Sequence, residues 1–383
     1  MRKSIISMFG FTVLVFCLVG TVFAEDENKP NTGLLSAVGL DNIFAQAAPA
    51  PAEPEEKLNV SASGFGQFLT TLSDNANENF DVTRMRFKVK GTYDKFTMFV
   101  QLDTESSPTL LLDYNVNYKF SDKVQVKAGR FCLPFGWQTP ISPYDLVTIN
   151  YSQIVGTLFG PGSICGGGWG NLRDQGVYLH GSLDVSSMKL GYVAGILNGE
   201  ERATSETDGK KASILRVFLT PSKGITVGLS HYDGSRNCND PLGLLGKRDF
   251  AIRRFGLDWN VDMEQFFFKG QYMSGTENPS DMGVRGAAHN KENTTTGWFF
   301  EAGYKLNSKI HIVAKMDSMT VPDKACDSTT GTWVNVTETE RTVYAAGVNY
   351  YFAKYAKLQV IFESKPDKGS EYQRALVLLG VSF

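Results

Sequence analysis

Four basic residues recur at every second position of Arg84-Met-Arg-Phe-Lys-Val-Lys90: Arg84, Arg86, Lys88 and Lys90, separated by Met85, Phe87 and Val89. A period of two is that of a β-strand, so the four cations share one face, stacked about 7 Å apart, and the three apolar residues share the other. Like charges stacked in this way repel, and hydrocarbon is a costly place for any of them, so the basic face belongs in water, where it would accept anions. Carboxylates on the next two strands, Asp103 and Asp113, offer a second reading, in which the ladder is neutralised and braces a wall. The two readings can coexist.

The elements that must position this ladder are short alternating runs from Leu58 onward. Phe96, Met98, Val100 and Leu102 form one apolar outer face; Leu112, Tyr114, Val116, Tyr118 and Phe120 form another. Tight turns fall at Tyr93–Phe96, Ser121–Lys123, Asp184–Ser187, Pro221–Gly224, Asp262–Gln265, Asn307–Lys309 and Ala353–Ala356, in strict rotation with longer loops. Seven turns and eight loops join sixteen strands, with short turns on one side and long loops on the other. Aromatics crowd the turn ends (Tyr93 with Phe96, Tyr118 with Phe120, Trp259 with Phe266, Tyr350 with Phe352), and before Phe383 the residues Val381, Leu379, Val377 and Ala375 are apolar at every second position. An aromatic girdle and a terminal aromatic strand predict an all-β fold, a 16-stranded antiparallel transmembrane β-barrel over residues 58–383. A soluble β-sandwich would alternate as well, but it would not combine the even count, the girdle and the terminal Phe. Barrels of about 16 to 18 strands leave an aqueous channel, so the pattern predicts a pore.

Met1-Arg-Lys, the apolar run from Ile5 to Gly20 and Val22-Phe23-Ala24 predict a secretory signal peptide over 1–24; an uncleaved anchor is the competing reading. Phe16 before Cys17 is too bulky for a lipobox. Residues 25–57 read as a periplasmic segment, with an amphipathic stretch from Leu34 to Phe44 and the linker AQAAPAPAEPEEK, either a plain tether or a docking or oligomerisation helix. The absence of another apolar run of about 18 residues excludes a helical transporter. With 38 Gly, 15 Tyr and 26 Phe, the composition suits tight turns and girdles, and so the outer membrane of a Gram-negative-type bacterium, with its lipid as a partner.

Carried round the barrel, the same face assignment turns inward Lys119, Lys123, Lys127, Lys189, Arg216, Arg254, Lys269, Lys305, Lys315, Arg341, Lys357 and Arg374. Inward acids are fewer: Asp103, Asp113, Asp174, Asp258, Glu301, Asp317 and Glu363. The lumen is then net positive although the chain carries −2. Rings of Arg and Lys select anions and phosphate, and the expected pore-lining, anion-binding residues are Arg84, Arg86, Lys88, Lys90, Lys123, Lys127, Arg216, Arg254 and Lys315. The long third loop, from Phe131 to about Leu172, contains FGWQTPISPY and GPGSICGGGWGN, cannot continue a ladder, and is expected to fold inward and narrow the channel. Its glycines lack the GxxxxGK[ST] pattern of a phosphate-cradling loop.

The blocks Gly129-Arg-Phe-Cys-Leu-Pro-Phe-Gly136, Arg173-Asp-Gln-Gly-Val-Tyr-Leu-His-Gly181 and Gly347-Val-Asn-Tyr-Tyr-Phe352, the last followed by Lys357-Leu-Gln-Val360, resemble the recurring blocks of the phosphate-selective porin O and P family. The similarity covers essentially residues 60–383. It implies a homotrimer of sixteen-stranded barrels whose long third loop narrows an arginine- and lysine-lined pore.

Beyond the leader the cysteines are Cys132, Cys165, Cys238 and Cys326, all read in long loops exposed to an oxidising compartment. Cys132 and Cys165 flank the third loop and could clamp it by a disulfide; isolated thiols are the alternative, and three pairings are open. No CxxC or His-Cys spacing marks a metal site, no cofactor is implied, and nucleic acid is not an expected partner. His180, His231, His289 and His311 lie apart, without a nucleophile elbow, HExxH or paired carboxylates, so no enzyme is expected and His180 and His311 read as polar pore lining. The function expected is passive diffusion of phosphate or other small anions. The alternatives are a general or sugar porin without an anion site and an envelope-anchoring barrel.

Overall fold

The computed structural model describes residues 57–383 apart from 75, 106–109, 160–171, 200–207, 240–246, 280–293, 328–331 and 368–370. The expected signal peptide, and all of the 25–57 segment but Lys57, lie outside the described residues. Sixteen antiparallel strands close into one barrel. In chain order they are β1 Asn59–Ser73, β2 Ala76–Tyr93, β3 Phe96–Asp103, β4 Leu110–Lys119, β5 Gln125–Cys132, β6 Arg173–Val185, β7 Met188–Leu197 and β8 Ala212–Ser222. The second half comprises β9 Ile225–Asn239, β10 Lys247–Asp262, β11 Phe266–Pro279, β12 Thr294–Lys305, β13 Ile310–Asp327, β14 Thr332–Ala353, β15 Ala356–Lys365 and β16 Tyr372–Ser382.

Each strand pairs with its sequence neighbours, and β16 closes on β1 from Phe65↔Ser382 to Ser73↔Arg374. Gly64 and Phe383 extend the seam by exchanging two backbone hydrogen bonds of 3.1 Å. Closure removes every sheet edge, which is what allows strands to cross lipid, where an unpaired backbone group is costly. Large apolar side chains cover the outside, among them Met85, Phe87, Met98, Leu229, Phe300, Val348, Phe362 and Val381. At the turn ends the aromatics pack in pairs, Phe96 on Tyr118 and Tyr118 on Phe120 at 4.6 Å and Phe266 on Tyr304 at 4.9 Å between ring centroids. This is the expected girdle.

All seven tight turns fall where the sequence places them. The strict rotation with longer loops does not hold, because two pairings run on beyond the others: β1 meets β2 as far as Ser73↔Ala76, and β13 meets β14 as far as Asp327↔Thr332. The expected outward position of Leu112 is also corrected. A bulge pairs Leu102 with Leu111 and Gln101 with Asp113, so Leu111 faces out at 40% exposure while the inserted Leu112 is buried at 1%.

The third loop occupies the inside of the barrel. Its described part, Leu133 to Phe159, carries a 3-10 turn at Pro143–Asp145 and a short helix, α1, at Gln153–Phe159. Leu133, Phe135, Leu146, Ile154, Val155, Leu158 and Phe159 pack with inward-facing Ile214, Ile252, Met273 and Met319 of the wall. Val147 and Ile149 join Phe267, Val313, Ile361, Leu376 and Leu378. Each fully buried side chain of this kind contributes about 1.5–3 kcal/mol, so the loop is held by a core of its own.

Candidate functional site

With the loop packed against the far wall, a slot of about 680 Å³ remains between it and strands β2 to β6. All four rungs of the basic ladder line it, as do Phe99 and Gln101 of β3, Asp113 and Asn115 of β4, Lys127 of β5, and Arg173, Tyr178 and His180 of β6. Pro134, Pro140, Ile141, Ser142 and Tyr151 of the loop form the opposite side. Arg86 is braced as one reading of the sequence expects, its Nε donating to Asp103 Oδ2 at 3.2 Å. Asp113 is not a partner of the ladder. It takes a bidentate pair from Arg173, with Nε on Oδ1 and Nη2 on Oδ2, both at 3.0 Å. Sequence alternation misses Arg173 because this residue opens β6 directly after the loop, with nothing before it to fix its face.

The remaining cations of the slot have softer contacts. Arg84 donates to Gln67 Oε1 at 3.2 Å, the Lys88 ammonium stands 5.2 Å from the Phe65 ring centroid, and that of Lys127 stands 5.5 Å from Tyr178. Among the described residues, Arg84, Lys88, Lys90 and Lys127 form no ion pair with a carboxylate. His180 shares a 2.7 Å hydrogen bond with Asn117 Oδ1.

Four expected pore-lining residues do not line the slot. Lys123 is exposed in the turn between β4 and β5, beyond the end of the wall. Arg216, Arg254 and Lys315 do face inward, but the third loop covers them and each has an acid partner. Arg216 donates to Asp258 Oδ1 at 2.8 Å and to the Gly136 carbonyl. Arg254 donates to Glu277 Oε1 at 2.8 Å and lies over the Phe159 ring at 4.3 Å. Lys315 lies 3.3 Å from Asp317 Oδ2 and donates to the Asn150 carbonyl. At 9%, 2% and 7% exposure these three are buried against the loop. Lys357, 2% exposed and 4.9 Å from the Tyr144 ring, is likewise covered.

Residues 57–230 match the model of the family described as phosphate-selective porin O and P. Over this stretch the chain resembles the porins of this family. Its place is the Gram-negative outer membrane. Among solved structures, the anion-selective porin from Comamonas acidovorans aligns at a TM-score of 0.62 and 9% identity, covering 85% of this chain and 100% of that one. OmpT of Vibrio cholerae in its trimer form gives 0.58 and 10%, covering 85% and 99%, and the outer membrane channel DcaP of Acinetobacter baumannii gives 0.57 and 13%, covering 87% and 100%. At these identities the likeness is one of fold. A search of the curated proteins finds no match.

The porin's loop is tied to its wall by polar contacts as well as by the apolar core. Thr148 Oγ1 donates to Glu301 Oε1 at 3.3 Å, Asn150 Nδ2 to Glu363 Oε1 at 3.2 Å, and the Gln153 amide to Asp317 Oδ2 at 2.8 Å. Nearer its start the amides of Gly136 and Gln138 donate to Ser230 Oγ and Gln271 Oε1 at 2.9 and 3.1 Å. Gly136 has φ +62°, a left-handed backbone conformation that favours glycine, and a Cβ there would press on the Gln271 side-chain amide. Burial pushes the Tyr151 phenol up, which keeps it a donor to the Ile141 carbonyl at 2.6 Å. The Cys132 thiol lies 3.2 Å from the Thr139 carbonyl and 3.3 Å from that of Leu172, at the two roots of the loop. Its expected partner Cys165 lies outside the described residues. Among the described residues no His, Cys, Asp and Glu cluster could hold a metal ion.

Proposed function

We propose that this porin passes anions in preference to cations, by passive diffusion through the slot beside its third loop, and that phosphate or another small anion is the solute. The observation that carries the reading is the distribution of charge. Arg84, Lys88, Lys90 and Lys127 line the slot without an acid partner among the described residues, while the acids Asp103 and Asp113 are each engaged by an arginine. Fixed positive charge on one wall of a narrow, low-dielectric passage concentrates anions and repels cations. The family's description supports the same sign. A channel needs no catalytic residue, and the role is transport rather than catalysis.

Reversal potentials in planar bilayers under a KCl gradient test the proposal: the potential should lie on the chloride side of zero, and a cation-side value would refute it. Block of the chloride current by added phosphate tests the solute.

We also propose a homotrimer, the state named for the Vibrio cholerae porin.

A further inference from the structure

We infer that Asp145, at the end of the 3-10 turn in the third loop, limits the channel's anion selectivity from within: its carboxylate stands among lysines at a position where a permeating anion would otherwise rest. The inference rests on the anion-selective reading above and names a residue that sets how far that selectivity goes.

Most inward acids of the wall are engaged. Asp103, Asp113, Asp258, Glu277, Asp317 and Glu363 each pair with a lysine or arginine at 2.5–3.3 Å. Asp145 differs. It is the one acid between Leu133 and Phe159, it is exposed, and among the described residues its side chain forms no ion pair and no hydrogen bond. The backbone holds it in place: its amide donates to the Ser142 carbonyl at 2.8 Å, and the Pro143 carbonyl accepts from Gln67 Nε2 at 3.3 Å.

Lysines from three strands surround this turn. The Tyr144 and Phe65 rings lie 5.6 Å apart, with the Lys357 ammonium 4.9 Å from the first and that of Lys88 5.2 Å from the second. Two ammonium groups, from β15 and β2, therefore flank the ring pair beside Asp145. Lys269 of β11 stands 4.9 Å from the ring of Trp137, also in the loop. The Asp145 charge acts on Lys88 and Lys357 ahead of every other charged group, and on Lys269 after Asp262, Glu301 and Lys305. None of the three lysines has an ion-paired acid among the described residues. Lys357 is 2% exposed and contributes potential rather than contact, whereas Lys88 and Lys269 are partly exposed and open to a solute. Lys88 also lines the slot, so this lysine group is continuous with the passage.

A carboxylate fixed here lowers the positive potential that an entering anion meets and repels the anion directly. Removing one unit charge several ångströms away in water strengthens binding of a monoanion by about threefold, and of a dianion by more.

The test is titration of the chloride current through the purified porin in planar bilayers at pH 7 with inorganic phosphate, using the parent, Asp145→Asn and Asp145→Ala. Each variant should lower the half-blocking phosphate concentration by about threefold or more and move the reversal potential under a KCl gradient further toward chloride. Adding Lys88→Gln or Lys269→Gln to Asp145→Asn should remove most of that gain, while adding Lys127→Gln, on which Asp113 and not Asp145 acts, should leave it in place. An unchanged half-block in both Asp145 variants, no block by phosphate in any of these proteins, or a gain that survives both Lys88→Gln and Lys269→Gln would each overturn the inference. Reversal potentials of the parent separate the two levels: a cation-side value defeats the underlying reading, and an anion-side value with Asp145 variants indistinguishable from the parent defeats this inference alone.

Discussion

Arg86 is 8% exposed with Asp103 at 3.2 Å, whereas Lys90, two rungs along the same face, lines the slot with no ion-paired acid among the described residues, so removing each charge should give different defects. Arg86→Ala leaves a carboxylate at 8% exposure whose Oδ1 already lacks a hydrogen-bond partner. Breaking a buried pair from one side costs about 3–5 kcal/mol, and contact with lumenal water should bring the loss here to roughly 2 kcal/mol. The heat stability of the folded band in detergent gels should therefore fall for Arg86→Ala and recover in the double variant with Asp103→Ala; equal stabilities in all three proteins would refute the assignment. Lys90→Glu should leave that stability in place and move the reversal potential toward cations, because lumenal substitutions tune selectivity. The face assignment has its own check. With native cysteines removed, Arg84→Cys, Lys88→Cys and Lys90→Cys should react with a membrane-impermeant thiol reagent while Met85→Cys, Phe87→Cys and Val89→Cys stay inert, and a pattern shifted by one residue would mean a wrong register.

At the scale of elements, the third loop covers some inward charges and leaves others lining the slot. Phe135 is fully buried, 4.9 Å from the Phe159 ring and against the backbone of Gly256 on β10. Phe135→Ala should cost about 3–5 kcal/mol of loop packing without touching strand pairing, so single-channel conductance should rise and become noisy while barrel heat stability changes less; an unaltered, quiet channel would show that the loop does not limit the pore. The strands are legible in the sequence because their period of two and their turn residues repeat, and a bulge such as that at Leu112 is not, since an extra residue in a run carries no mark of its own. Alternation likewise gives the correct face for Arg216, Arg254 and Lys315 but says nothing of what covers it. One signal for the cover does exist: Ile214, Ile252, Met273, Leu376 and Leu378 are apolar at inward positions, which an open water channel would not favour and which a loop packed on that wall explains. Their partners, more than 50 residues away in sequence, are what the alternation could not identify.

On the scale of the whole molecule, a barrel in lipid requires an apolar outer band, and a charge within that band marks where something other than lipid lies against it. Tyr114, Arg130 and Gln175 are direct cross-strand partners on β4, β5 and β6, on the face opposite to Lys127 and Tyr178. Arg130 lies about 17 Å along its strand from Gln125, near mid-barrel, with its guanidinium 4.7 Å from the Tyr114 ring, and the Tyr114 hydroxyl donates to Gln175 Oε1 at 2.6 Å. A charge on the lipid face costs about 2–4 kcal/mol, but Arg130 is met within its own barrel: it is 6% exposed, donates to the Leu111 carbonyl and lies over the Tyr114 ring. Arg130→Ala removes these contacts within one barrel and should lower the heat stability of the folded band in detergent gels. Val348→Arg on β14, where the outer face is apolar, should instead reduce the yield of folded barrel, because there the new charge meets hydrocarbon. A folded band of Arg130→Ala as heat-resistant as the parent would refute this role for Arg130, and full yield of Val348→Arg would refute the lipid-facing assignment of β14.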